Sequence, residues 1–222
     1  SIYSKVNLPN QRAQSVSACA QNAPTFVATS LLPKSQNISG FTSFVNSMDF
    51  SLGKEITIEL LQVIIDQNIL NLTISEIEGD AILFYKKSTL TLQQVKKQYE
   101  QMLSAFSHKV NTLSLQYGFE IKLSLKLVAH YGEISTYTIG GFEKLYGKPV
   151  IEAHQLLKNP IKSNSYFLIT EDFFNATSQT VNKTHYSGSK LCEVYGSLKN
   201  IGYIFFDYEA DRDNPSINGY LR

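Results

Sequence analysis

Asp80 closes the run Glu76-Ile77-Glu78-Gly79-Asp80, an acidic hairpin tip whose carboxylates could together hold a hard cation. A Gly-Asp pair also favours a tight turn on its own account, so the same residue has a purely structural reading. Other arrangements fail when their chemistry is spelled out. Gly141-Phe142-Glu143-Lys144-Leu145-Tyr146-Gly147-Lys148 has five residues between its glycines, and Pro149 follows the lysine. A phosphate-cradling loop needs four residues there and a Ser or Thr hydroxyl after the lysine. Asp207, Glu209 and Asp211 have calcium-loop spacing, but Arg212 stands at the sixth position and Asn218 at the twelfth, so a solvated acidic stretch is expected. There is no G-x-S-x-G elbow, H-E-x-x-H or C-x-x-C. The 4 histidines (His108, His130, His154, His185) are scattered and are expected to be structural or surface residues. Lys86, Lys87, Lys96 and Lys97 read as a solvated helix face.

The chain has 222 residues and a mass of 25.0 kDa, enough for one large domain with its own core. Hydrophobic residues make up 43% and charged residues 18%, with mean hydropathy −0.13, which excludes global disorder. A net charge of +1 gives no field that would draw nucleic acid or lipid. Cys19 and Cys192 cannot build a disulfide framework; a single bridge and two free thiols are the two readings, and free thiols in a reducing compartment are expected. Asn37, Asn71, Asn175 and Asn182 each open an N-x-[ST] sequon, expected by chance in so Asn-, Ser- and Thr-rich a chain. No apolar run reaches the roughly 20 residues of a membrane helix, and residues 1–24 lack the apolar centre of a signal peptide.

Apolar spacing then places the elements. Thr25–Leu32 reads as a strand, and Ser51–Asn68 as a largely buried helix on Ile56, Leu60, Val63 and Ile64. Leu70, Leu72 and Ile74 alternate with polar residues, giving a strand that turns into a second one over Ala81–Tyr85. Leu92, Val95, Tyr99, Met102, Leu103, Phe106, Val110 and Leu113 mark a helix over Thr91–Tyr117. Ile121, Leu123, Leu125, Leu127 and Ala129 alternate as a long strand, with Glu133–Thr138 as its hairpin partner. A helix over Val150–Lys158, a strand over Tyr166–Thr170 and a β-rich end including Gly202–Tyr208 complete the reading. The order is β-α-β-β-α-β, expected to form an α+β, ferredoxin-like sheet with its helices on one face.

Four segments in this order resemble the class III adenylate/guanylate cyclase catalytic domain, and more closely an uncharacterised bacterial family related to it. They are Asn37-Ile38-Ser39-Gly40-Phe41-Thr42, Glu76-Ile77-Glu78-Gly79-Asp80-Ala81, Val128-Ala129-His130-Tyr131-Gly132-Glu133 and Tyr146-Gly147-Lys148-Pro149-Val150-Ile151-Glu152-Ala153-His154. The resemblance implies two metal-binding aspartates, one beside the first turn and one in the hairpin, with Mg²⁺ or Mn²⁺ polarising nucleotide phosphates. It also implies a phosphate-cradling turn and a dimer partner supplying a base-selecting pair, an Asn and an Arg.

Carried onto this chain, the hairpin metal position is Asp80, and the first metal position falls on Asn37, a neutral amide set off from Pro33 by Lys34-Ser35-Gln36. The transition-state Asn and Arg fall on Ile151 and Gln155, and the base-selecting Lys and Asp on Glu76 and Lys144, an exchange of signs. Ile38, Ser39, Gly40, Phe41 and Thr42 form the ligand-binding turn, and Glu76 and Lys144 either meet a ligand or pair with one another. The expectation is a catalytically degenerate, cytoplasmic cyclase-homology module that binds a ligand or dimerises. It needs no cofactor, and its partners are a second copy and a nucleotide or small phosphate, with no nucleic acid and no membrane span. The alternative is a metal-dependent cyclase or other phosphate-ester enzyme built on Asp80 with Glu76 or Glu78, using Mg²⁺ or Mn²⁺. A third reading is a surface or secreted interaction protein. The expected organisation is an extension over 1–24, the cyclase-like domain over 25–170, and a β-rich extension over 171–222 packed on the same domain.

Overall fold

The computed structural model describes residues 25–33, 44, 48–159, 161, 163–177, 189–190 and 201–209. The expected extension, the turn from Asn37 to Thr42, both cysteines, His185 and the Asp211 stretch lie outside the described residues.

Strand β1 (Thr25–Pro33) is followed by helix α1 (Phe50–Asp66), whose first N–H groups at Ser51 and Leu52 donate to the capping carboxylate of Asp49 at 2.9 and 3.2 Å. Only the stripe Gly53, Ile56, Leu60 and Ile64 is buried, and Ile58 faces solvent, so α1 is less buried than its apolar content suggests. Strand β2 (Thr73–Glu78) begins later than the alternation of Leu70, Leu72 and Ile74 implies. The Asn68 amide accounts for the delay: it accepts from Leu72 N at 2.9 Å and donates to Leu72 O at 2.8 Å, tying both backbone groups that a longer strand would pair. Gln98 secures the same connection, accepting from Leu70 N at 3.0 Å and donating to Gln67 O at 2.6 Å. Gly79, at φ +59°, turns the chain into β3 (Ala81–Lys86).

Helix α2 (Leu92–Tyr117) matches its apolar stripe. It opens on a reciprocal Thr91–Gln94 capping box and closes on Gly118 in the left-handed conformation at φ 72°. Strand β4 (Leu123–Tyr131) follows. Strands β5 (Ser135–Ile139) and β6 (Phe142–Tyr146) form a separate two-stranded sheet. The expected pairing of 133–138 with β4 therefore does not occur. Gly140 and Gly141, both at positive φ, form a two-residue hairpin loop that gives β5 a nearer partner. Helix α3 (Lys148–Leu156), strand β7 (Tyr166–Thr170), a short helix α4 (Glu171–Thr177) that the β-rich reading omits, and strands β8 (Ser189–Lys190) and β9 (Gly202–Asp207) complete the described chain.

The seven-stranded sheet runs β2-β3-β1-β4-β7-β9-β8, antiparallel except between β4 and β7. Its first four strands have the ferredoxin-like order, and the fold is α+β as expected. On one face Val27, Leu31, Ile82, Phe84, Leu125, Leu127 and Phe167 meet Ile56, Leu60, Tyr99, Met102 and Phe106 of α1 and α2. On the other, Ala28, Leu83, Tyr85, Val128 and Leu168 meet Ala153 and Leu156 of α3. Helices thus cover both faces, where the pattern suggested one. In β4 the polar alternates Ser124, Lys126 and His130, which read as a solvent face, are buried. No helix among the described residues is long and apolar enough to cross a membrane.

Phe106, 1% exposed, lies where α2 meets the sheet, so Phe106→Ala should cost about 3–5 kcal/mol in chemical denaturation. Ile58→Ala on the open side of α1 should stay within about 0.5 kcal/mol of the parent.

Candidate functional site

The polar face of β4 carries the chemistry. Ser30 of β1 stands in register with Ala81 of β3 on one side and Lys126 of β4 on the other. Its hydroxyl donates to Asp80 Oδ2 at 3.0 Å, and Leu31 N donates to Asp80 O at 3.1 Å, so the hairpin tip is locked to β1 by backbone and side chain. Burial pushes the Asp80 carboxyl above its usual range, while the Ser30 hydroxyl, its own backbone N–H and the Lys126 ammonium pull it back. Burial lowers Lys126 to about 8, against the attraction of Asp80. The Lys126 ammonium donates to Leu157 O, at the carbonyl end of α3.

A second group lies toward the sheet edge. Lys144 of β6 sits 3.7 Å from Glu76, and His154 Nε2 lies 2.7 Å from the other Glu76 oxygen. His154 Nδ1 is 3.8 Å from Glu78. The two residues of exchanged sign therefore meet each other. These groups are partly exposed, and each pair contributes at most about 1 kcal/mol. Their effect is geometric: they brace the hairpin of β2 and β3 against β6 and α3.

A third group is buried except for its lysine. His130 shares hydrogen bonds with Thr170 Oγ1 at 2.9 Å and Glu152 Oε2 at 3.2 Å, and Lys148 donates to the other Glu152 oxygen. Burial alone would raise the Glu152 carboxyl, but the hydrogen bonds from His130 and Lys148 outweigh it and hold it below the usual range. Hydroxyl, imidazole and carboxylate in series resemble a nucleophilic triad. Thr170 is fully buried, however, and its oxygen accepts from Phe173 N at 3.2 Å, so this chain joins α3, β4 and α4 structurally. Two glycines of the sequence motifs meet here. A Cβ on Gly132 would lie 2.3 Å from Pro149 Cγ, and one on Gly147, at φ +149°, would lie 2.9 Å from Glu133 O.

Among the remaining expected positions, Ile151 is 58% exposed, and Gln155 Oε1 is buried with no hydrogen-bond partner among the described residues. Neither can donate a charged hydrogen bond. Asn37 and the turn Ile38, Ser39, Gly40, Phe41 and Thr42 lie outside the described residues. The Mg²⁺ or Mn²⁺ implied by the resemblance does not fit the donors among the described residues. Such ions need several hard oxygens, and there Asp80 offers a single carboxylate, bonded to the Ser30 hydroxyl. Glu76 and Glu78, the carboxylates of the alternative site, turn to Lys144 and His154. Among the described residues no cluster of three or more His, Cys, Asp or Glu could hold a metal. Ser30, Lys126, Glu152 and His154 were not singled out from the sequence; their signal, polar residues on an otherwise apolar strand or helix face, reads equally as solvent exposure.

Comparison with known proteins agrees with this frame. Residues 57–166 match the family described as "Protein of unknown function (DUF2652)", a span that takes in the hairpin, strand-end and helix segments. The chain is 26% identical over 132 residues to "Uncharacterized protein Rv2561/Rv2562" of Mycobacterium tuberculosis, covering 56% of this chain and 62% of that one; it thus spans less than two thirds of the curated relative. The guanylyl cyclase Cya2 has a TM-score of 0.61 at 18% identity, over 82% of this chain and 90% of that one. The adenylyl cyclase CyaB from P. aeruginosa has 0.52 at 12%, over 82% and 92%. The fold is that of the nucleotide cyclase catalytic domain.

Because Glu152 is held below the ordinary glutamate range, it stabilises the fold above that range and loses the contribution as pH falls through its folded value. Glu152→Gln should therefore cost about 1–3 kcal/mol near neutral pH, and its deficit against the parent should narrow on acidification in urea titrations.

Proposed function

We propose that this chain is a catalytically degenerate nucleotide cyclase-homology domain that acts as a ligand-binding or dimerising regulatory module. The observation that carries the reading is the surroundings of Asp80: among the described residues, one carboxylate tied to a serine hydroxyl, where the resemblance implies a pair of metal-binding aspartates. The neutral residues Asn37, Ile151 and Gln155 at the other catalytic positions support it. Losing one preorganised donor to a developing negative charge costs about 2.7–4 kcal/mol, a factor of roughly 10²–10³ in rate. Several such losses at one centre need not add, yet even partial additivity leaves turnover far below the usual range of enzymes.

The dimerising half rests on the β5–β6 hairpin. Tyr137, Ile139, Phe142 and Tyr146 share one face of it by register, and all are exposed. That face, on which Ser135 and the Glu76-paired Lys144 are the polar members, is suited to a second copy of the chain.

Purified protein incubated with ATP or GTP and Mn²⁺ should yield no cyclic nucleotide; turnover above about 0.01 s⁻¹ would overturn the assignment. In sedimentation velocity the parent should associate, and Phe142→Ser, at an exposed flank of the turn, should shift it toward monomer without lowering its melting temperature.

A further inference from the structure

His154 of α3 lies between two carboxylates of a single strand. Its Nε2 is 2.7 Å from Glu76 Oε1, and its Nδ1 is 3.8 Å from Glu78 Oε2. A bulge in β2 between Ile74 and Glu76 puts both carboxylates there. Ile74 pairs with Phe84 on the face of α1 and α2, whereas Glu76 and Glu78 pair with Leu83 and Ala81 on the face of α3. Without the extra residue the carboxylates would face α1 and α2, and Ile77 would face α3. The remaining charged and titratable groups of the elements around the imidazole have other places. On β6, Lys144 meets the second Glu76 oxygen, Tyr146 and its neighbour Tyr137 of β5 share the Lys144 face, and Glu143 lies on the opposite one. On β3, Tyr85 packs in the core beside α3, and Asp80, just before the strand, is tied to Ser30. Lys126 of β4 donates to Leu157 O. On α3 itself Glu152 is engaged by His130 and Lys148, and Lys158, just beyond the helix, is exposed.

A neutral imidazole has one N–H and one bare nitrogen, so it donates to only one of two carboxylates; an imidazolium donates to both. Two carboxylates and one ammonium also leave this cluster with one negative charge, which a proton on His154 cancels. We infer that His154 is a proton-operated clasp: protonation joins Glu78 as well as Glu76 to α3 and draws the tip of the β2–β3 hairpin onto that helix, and loss of the proton releases Glu78 to solvent. Histidine is the side chain suited to this task, changing charge between about pH 5 and 8. Glu78 is 80% exposed, so its contact is the one a proton can make and break, while Glu76 keeps a donor in either form. The clasp goes beyond the reading above and does not depend on it, since an inert or an active chain, alone or paired, would carry it.

The test is a double-mutant cycle of His154→Gln and Glu78→Gln in urea unfolding of the full chain, run at about pH 5.5 and about pH 8.5. A proton held more tightly by the folded chain stabilises it at low pH, and that contribution is lost as pH rises. The two residues should therefore stabilise each other by about two- to fivefold in the unfolding constant at the acid value, and the coupling should vanish at the alkaline one. A coupling equal at both values, or absent at both, would overturn the clasp, because mere packing of the two side chains has no such pH profile. A second measurement follows the His154 imidazole by nuclear magnetic resonance, its signal identified by its loss in His154→Gln. Glu78→Gln should lower the titration midpoint by about 0.3–0.7 pH unit, the same factor read through linkage. A midpoint that moves with Glu76→Gln but not with Glu78→Gln would reduce the arrangement to a single pair and sink the proposal.

Discussion

An ammonium taken out of water costs several kcal/mol unless negative charge and hydrogen-bond acceptors meet it, and Lys126 sets that condition for the centre of this sheet. Its hydrogen bond goes to Leu157 O at the end of α3, and the Asp80 carboxylate, held at the hairpin tip by the Ser30 hydroxyl, adds attraction from beyond contact distance. Two residues along the same strand, Val128 returns to ordinary apolar packing, and two further on His130 again enters a hydrogen-bonded chain that reaches Glu152, Lys148 and Thr170. One face of β4 is therefore a row of obligations that α3 must satisfy. The position of α3 is in turn fixed by close approaches at Gly132 and Gly147.

Much of the frame was legible because apolar periodicity and end signals agreed. Helix α2 shows its stripe, its Thr91–Gln94 box and its Gly118 stop, and the structure differs from the expected span by a single residue at the start. Strand β7 coincides with its expected span. The misreadings share a cause: a local polar group did something that spacing cannot report. Asn68 absorbed the backbone groups of Leu72 and shortened β2, and Gly140-Gly141 supplied a turn that drew β5 away from β4.

The candidate site was legible only in part, for a reason that sits in β4. Alternation of Leu123, Leu125, Leu127 and Ala129 with Ser124 and Lys126 is what a strand with one wet face would show. Here the second face is dry, and the polar residues on it are partnered instead of solvated. Burial of a lysine depends on what another element brings, and no single segment carries that information. By contrast, the pairing of Glu76 with Lys144 could be anticipated from their opposite signs at related positions; its reinforcement by His154 could not, since a separate element, α3, supplies that residue.

The place of β1 in the sheet has a consequence for how the molecule is made. This first described strand is bonded on one edge to β3 and on the other to β4, both of which emerge from the ribosome long after it. At about 5–20 residues per second, several seconds separate the synthesis of β1 from that of its last neighbour. Throughout that interval its edges are unsatisfied, and a nascent chain ending short of Tyr131 offers the pairing surface of β1 to any passing strand or chaperone.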